Sequence, residues 1–336
     1  MARGAAGPTP AADVHLEPGI FPSRLRHLVE DALTGRLSHA RRIVIPRTSD
    51  ADYKCFLYLR EFVRKGEVAT ALLSREALAP TILFDLLQSR GADVRAYDVA
   101  RTRVLLDELT AASGRMPSAD DLRREIARAN AARAAARRLV ALRRIVPRVT
   151  GSDVFPLLAA FWEMEPDRYV EMASEAASSI AARPPIAGPR VLLTGAPVDG
   201  AALHQAIESH GAVVVAEVGP WGSGAAGDDV RLDDDPVAAL ADKYRADSVG
   251  ARTPVDALRR WTESRLDEVD AVVVSLPPDD AVFGWDYPAL RDRLKTRGMP
   301  HVCLRGDQYC APTSADHARL DVMVSAASRL QEARHG

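Results

Sequence analysis

Four short runs in the second half of the chain constrain its fold most: RVLLTG at 190–195, AVVVAEV at 212–218, DAVVVSL at 270–276 and HVCLR at 301–305. The runs are apolar and rich in β-branched residues, the pattern of strands buried on both faces. Among them stand segments with helical spacing: DGAALHQAIESHG at 199–211, DPVAALADKYR at 235–245 and YPALRDRLKTRG at 287–298. A strand buried on both faces needs cover on both. Strand–helix alternation with short connections therefore predicts a parallel sheet with helices on each side. In such a sheet the chemistry belongs in loops outside the carboxyl ends of the strands.

The first half reads as α/β as well. A helix is expected over 24–40, feeding the apolar run RRIVIP at 41–46. DYKCFLYLREFVRKG at 52–66 places Cys55, Leu59, Phe62 and Val63 at helical spacing, with Gly66 as a stop. VATALLS at 68–74 fits a strand or a helix equally. PTILFDLL at 80–87 reads as the start of another helix, followed by a stretch containing VRAYDV. From Arg101 to about Arg144 the pattern is helical, and Ser118 with Asp121 forms an S-x-x-D start signal. The segment LRREIARANAARAAARRLVALRR sets many arginines on an alanine-rich frame. It is read as a solvated face, with a cationic rim for a nucleotide phosphate or a partner subunit as the alternative. ARPPIAGP at 182–189 continues neither a helix nor a central strand and marks a linker. The 336 residues thus divide into a flexible tail at 1–20, a first α/β domain with a helical insertion at 21–183, and a second α/β domain at 184–336.

Charge and cysteine usage exclude several classes. A net charge of -2 and a pI near 6.5 draw the surface to neither nucleic acid nor an anionic membrane. No apolar run nears the roughly 20 residues that span a bilayer. Residues 1–12 lack the basic start and apolar stretch of a signal peptide. Three scattered cysteines, Cys55, Cys303 and Cys310, suit a reducing compartment. A cytoplasmic location is expected. The histidines form no H-x-x-x-H or H-E-x-x-H pair, so a zinc site is not expected. TGAPVDG after the 190–195 run is not a dinucleotide fingerprint, and no G-x-S-x-G occurs. Cys55 and Cys303 read as core residues, while Cys310 lies past a strand end. The glycine-rich GPWGSGAAGDD at 219–229 is expected to be a flexible loop covering a cleft, in preference to a phosphate cradle.

SLPPDDAVFGWDYP at 275–288 leaves the end of a buried strand and carries two adjacent aspartates and an aromatic pair. Asp279 and Asp280 read equally as a turn with a helix N-cap and as functional carboxylates.

Several stretches together resemble the 2-hydroxyacyl-CoA dehydratase and benzoyl-CoA reductase family. They are IVIPRTSDADYKCFLYLRE, GRMPSADDLRREIARANAARAAARRL with its N-x-x-R from Asn130 to Arg133, GPRVLLTGAPVDGAALHQAIESHGAVVVAEV, DPVAALADKYR, and DAVVVSLPPDDAVFGWDYPALRDRLKTRGMPHVCLRGD. The match runs from about residue 40 to the end. The resemblance implies two flavodoxin-like domains facing each other across a cleft. In members with a full site it implies a [4Fe-4S] cluster held there by three cysteines. An ATP-dependent activator protein would supply a low-potential electron to the cluster and thence to an acyl-CoA thioester, and two homologous subunits would form the working heterodimer.

At the positions the resemblance assigns to cluster ligands, this chain departs from the family. Thr48-Ser49-Asp50 stands where a T-C-D-like loop belongs. Counting back from Tyr287-Pro288 puts Asp280 in a cysteine's place, and Ser248 is the nearest candidate for the middle ligand. Oxygen donors are hard and hold an iron–sulfur cluster poorly. The expectation is therefore a cluster-free subunit with no metal of its own, paired with a homologous subunit that carries the [4Fe-4S] cluster, and working on an acyl-CoA. The alternative is a stand-alone non-redox enzyme, or an acyl-CoA-binding protein, reusing the cleft. The candidate catalytic residues are Ser49, Asp50, Asp279 and Asp280. The candidate substrate-binding residues are Arg47, Thr48, Ser248, Trp285 and Tyr287, with the two aromatics packing against an acyl group.

Overall fold

A computed structural model describes residues 7–17, 19–65, 79–87, 89, 91–219, 221–233, 235–246, 255–278, 280, 282–307 and 311–335. VATALLS, read as either strand or helix, lies outside the described residues. In chain order the elements are α1 (Pro10–Asp13), α2 (Ser23–Leu33), β1 (Ile43–Pro46), α3 (Asp50–Lys65), β2 (Thr81–Phe84), α4 (Ala92–Ser113), α5 (Ala119–Arg144), α6 (Gly151–Ala159) and α7 (Pro166–Ala181). Then come β3 (Arg190–Gly195), α8 (Ala202–Glu208), β4 (Val213–Glu217), α9 (Pro236–Ala246), α10 (Val255–Leu266), β5 (Ala271–Ser275), α11 (Tyr287–Thr296), β6 (His301–Leu304) and α12 (Ser314–His335).

The chain divides into two units that do not follow chain order. One comprises Ala131–Gly227 with Thr253–Gly336, the other Ala2–Asn130 with Asp228–Arg252. The larger holds the four expected strands as one parallel sheet in the order β4-β3-β5-β6. Successive side chains of a strand point to opposite faces, and the core divides accordingly. Val191, Leu193, Val214 and Val273 pack with Leu203 and Ile207 of α8 and Leu320 and Val324 of α12. Leu192, Val213, Val215, Val272 and Val274 pack on the other face with Leu266 of α10 and Leu294 of α11. Both faces of the sheet are covered by helices, as the continuous apolar runs require. A third cluster joins Ala132, Ala135, Ala136 and Leu139 of α5 to Val154 and Leu158 of α6 and Tyr169 and Ala173 of α7, small residues on α5 allowing close approach.

In the other unit β1 pairs in parallel with β2, Ile43 opposite Thr81 and Pro46 opposite Phe84. Here PTILFDLL departs from the helix expected of it. Thr81–Phe84 is a strand because β1 supplies its hydrogen-bond partner and Pro80 precedes it, a tertiary pairing that overrides local spacing. VRAYDV instead begins α4, which runs further back than the expected start at Arg101. The expected helix over 24–40 ends at Leu33, with Gly35 at φ 77° just beyond. The expected helical run to Arg144 is likewise interrupted after Ser113, where Gly114 takes the left-handed conformation at φ 75°. Ser118 and Asp121 then form the predicted start signal: the Asp121 amide donates to Ser118 Oγ at 3.1 Å, and Asp121 Oδ2 accepts from the Ser118 amide at 3.0 Å.

The stretch read as a tail is packed from Thr9 onward. Ala12 and Leu16 are buried with Phe21, Leu25 and Cys55, and Glu30 accepts the Ala12 amide at 2.8 Å. Helix α9 packs on α4 in this same unit. Tyr244 meets Phe84 edge-on, and Arg245 Nε lies 2.9 Å from the fully buried Asp98 carboxylate.

Candidate functional site

The carboxyl end of β1 leads into the Arg47–Asp52 loop. The Arg47 amide extends the ladder to the Phe84 carbonyl at 2.9 Å. Its guanidinium pairs with Asp85 at 3.0 Å and lies 4.7 Å from the centroid of the Tyr53 ring. Thr48 and Ser49 both donate their hydroxyls to Asp52 Oδ2, Ser49 from 2.9 Å, and Ser49 Oγ accepts the Asp52 amide at 3.1 Å. Ser49 thus caps α3 in the S-x-x-D manner, and Arg24 closes the cluster with an ion pair to the buried Asp52. Asp50 opens α3 on the exposed side, where a negative charge complements the helix dipole. Cys55 follows on the buried face. Burial first, and the Asp52 charge second, push its thiol up to about 12.

The carboxyl end of β5 leads into the loop read as the second half of a site. Asp280 organises it. Its Oδ1 accepts the Phe283 amide at 3.0 Å and the Val282 amide at 3.4 Å, and its Oδ2 accepts the Gly284 amide at 2.7 Å. These bonds hold a single 3-10 turn, Phe283–Trp285. A side chain at 284 would crowd the carboxylate, since a Cβ there would sit 3.0 Å from Oδ2. Trp285 rides on this turn 85% exposed. Asp286 precedes α11 and pairs with Arg259 at 2.6 Å. Tyr287, the first residue of α11, packs half-buried beside Cys303 of β6. Burial first, then the neighbouring thiol, raise the Tyr287 phenol above its usual range, and burial also raises the Cys303 thiol.

The structure therefore brings Arg47, Thr48, Ser49 and Asp50 together on one strand end, and Asp280, Trp285 and Tyr287 on another. Ser248, Asp279 and Cys310 lie outside the described residues.

The sequence reading passed over Asp52 and Arg24, which hold the first loop. The signal was present, since Ser49-x-x-Asp52 repeats the Ser118-x-x-Asp121 pattern. It also passed over a fully buried cluster at the end of β4. Arg143, read as part of a solvated face, has 0% of its side chain exposed and pairs with Glu217 at 2.6 Å; His204 lies 3.4 Å from the same carboxylate. Burial would raise the Glu217 carboxyl, but the Arg143 charge, aided by His204, holds it well below the carboxylate range. Glu217 also accepts the Ser223 amide. The glycine-rich loop is thereby tied down, and Trp221 within it is buried against Phe155 and Ala159. This corrects the reading of that loop as a flexible cover. A lone acid inside an otherwise apolar strand was the available clue.

Parallel strands covered on both faces by helices, with polar loops at their carboxyl ends, define a doubly wound α/β protein of the kind that builds sites from strand-end loops. The chain belongs to the family described as 2-hydroxyglutaryl-CoA dehydratase, D-component, whose pattern matches residues 4–321. That family is a dehydratase component of a 2-hydroxyacyl-CoA dehydratase-type complex, in agreement with the resemblance. No curated protein matches the chain. No helix among the described residues is long and apolar enough to cross a membrane.

The [4Fe-4S] cluster that the resemblance implies does not fit the described residues of these loops. Ser49 and Asp280 offer oxygens, and both are engaged in capping backbone amides. Cys55 is buried in the hydrophobic core with Leu25, Ile45 and Leu59 and lies on neither loop. Among the described residues no group of three histidines, cysteines or acids is placed to hold a metal ion.

Proposed function

We propose that this chain is a cluster-free subunit of a 2-hydroxyacyl-CoA dehydratase or benzoyl-CoA reductase-like complex. It pairs with a homologous subunit that carries the [4Fe-4S] cluster and helps to form a pocket for an acyl-CoA thioester. An ATP-dependent activator protein serves the complex through the partner. Family membership supports the setting.

One observation carries the cluster-free part of this reading. Asp280, standing where the resemblance puts a ligand cysteine, uses both carboxylate oxygens to cap the turn that presents Trp285. A residue built into its own backbone in this way has exchanged a metal-binding role for a structural one. Its geometry favours a shaped, metal-free surface, with Trp285 and Tyr287 as the apolar contacts for an acyl group.

The test is iron and acid-labile sulfide analysis of anaerobically purified protein, alone and co-expressed with its cluster-bearing homologue. The isolated chain should be colourless, with iron appearing only in the complex. A brown preparation of the chain alone, with stoichiometric iron and sulfide, would overturn the reading.

A further inference from the structure

The unit containing β1 has a concave feature at the opposite end of that strand from the Arg47–Asp52 loop. Arg41 and Arg42 enter β1, while Arg115 stands in the turn between α4 and α5 and Arg124 on the first turns of α5. Together they line a groove of about 630 Å³. Its apolar wall is Leu106, Leu109, Ala112 and Pro117. The two ends of β1 are separated by about 13 Å of extended chain, so this groove is distinct from the strand-end loops.

Its charge is unbalanced. Four arginines line the groove against two acids, Asp121 and Glu125. Both acids are already engaged. Asp121 accepts from the Ser118 amide and hydroxyl and from Arg124, contacts that hold its carboxyl far below the usual range. Glu125 pairs with Arg128 at 2.6 Å. Arg115 reaches Asp121 only at 3.5 Å. Among the described residues Arg41 and Arg42 form no ion pair, and the Arg42 guanidinium donates to the Arg41 carbonyl at 2.8 Å. In a protein of net charge -2, Arg41 and Arg42 give this groove an excess of positive charge that its two acids do not meet.

We infer that this groove binds a nucleotide-class organic phosphate, with Arg41 and Arg42 on the phosphates and the base against Leu106, Leu109 and Pro117. Guanidinium forks suit phosphate oxygens through paired charge-assisted hydrogen bonds, and their planar faces also stack on rings. The volume falls within the usual range of about 300–1,000 Å³ for small-molecule sites. Inorganic phosphate would leave the apolar wall uncovered, whereas a purely apolar ligand would leave the arginines unmatched. The inference is independent of the acyl-CoA role, for which the proposed contacts are Trp285 and Tyr287 on the loop after β5.

Titration calorimetry of the full chain with ADP and with pyrophosphate tests it at low ionic strength. ADP should bind, and more tightly than pyrophosphate, with affinity falling as salt is raised. The double variant Arg41→Ala/Arg42→Ala should weaken ADP binding by at least about tenfold, since each charge-assisted contact is worth more than about 1.4 kcal/mol. Leu109→Asp, a change at a surface position, should weaken ADP more than pyrophosphate. Absence of binding at millimolar ADP would overturn the inference, and so would ADP binding unaltered in the arginine double variant. Neither result bears on iron content, which judges the subunit reading separately.

Discussion

Arg143 and Glu217 form an ion pair with no solvent contact: Nη1 lies 2.6 Å from Oε2, and the two side chains are 0% and 1% exposed. Arg143 comes from the last turns of α5 and Glu217 from the end of β4, so the pair pins a helix to the sheet edge and, through Ser223, to the glycine-rich loop. Attraction between buried charges offsets a large desolvation cost, so the pair's net contribution is modest, but removing one partner strands the other. Arg143→Met should therefore cost about 3–5 kcal/mol of unfolding free energy. Arg143→Met/Glu217→Gln should recover much of that, because no buried charge remains and the amide oxygen still accepts from Ser223. The pH dependence has a defined sign. The Glu217 carboxyl is lowered in the folded protein, so its contribution is complete above its unfolded value of about 4.3 and is lost as pH falls below that. In Arg143→Met, protonating Glu217 removes the mismatch, so stability should rise on acidification. Urea titrations at several pH values check both signs; a variant that loses stability on mild acidification, as the parent does at low pH, would refute the assignment.

The second prediction concerns the turn that carries Trp285. Asp280→Ala leaves the amides of Val282, Phe283 and Gly284 without their acceptor, and should cost about 1–2 kcal/mol, the scale of a lost cap. Asp280→Asn retains an acceptor oxygen and should be milder. Thermal melts of the two variants order them. Unchanged melting with lost activity in the assembled complex would instead make Asp280 a reacting group.

How much of this was legible in the sequence differs between the two halves. The strands of the four-stranded sheet announce themselves because they are short, mostly apolar runs set between helical patterns, which leaves little ambiguity with an amphipathic helix. Thr81–Phe84 did not, because a four-residue strand beside β1 is defined by its partner's hydrogen bonds and not by its own spacing. The position of α9 was hidden for a similar reason. Its sequence reads as a helix of the second half, yet Arg245 finds Asp98 and Tyr244 finds Phe84, partners about 150 residues earlier in the chain. The strand-end loops were locatable from topology alone, and so were the oxygen-bearing residues in them. What those oxygens do was not. Ser49 and Asp280 are defined by which amides they meet, and Arg143 looked solvated because an arginine's partner lies in another element.

The third prediction follows from Cys55. The thiol is 0% exposed on the inner face of α3 and is raised to about 12 by burial. At pH 8 the thiol is then protonated, and the thiolate, the form that reacts, is a minor species. Native alkylation followed by peptide mapping should leave Cys55 unmodified and label it only in denaturant. Because the folded value lies above the unfolded one of about 8.5, stability is intact below that pH and falls as pH rises through the alkaline range. Cys55→Ala, with no proton to lose, should show a shallower alkaline decline than the parent despite a smaller core contact. Anaerobic incubation with ferrous iron and sulfide should likewise leave Cys55 alkylatable only after unfolding. Rapid native labelling of Cys55, or its protection by iron and sulfide once the chain is unfolded, would show that the thiol is available as a ligand and would reopen the case for a cluster on this chain.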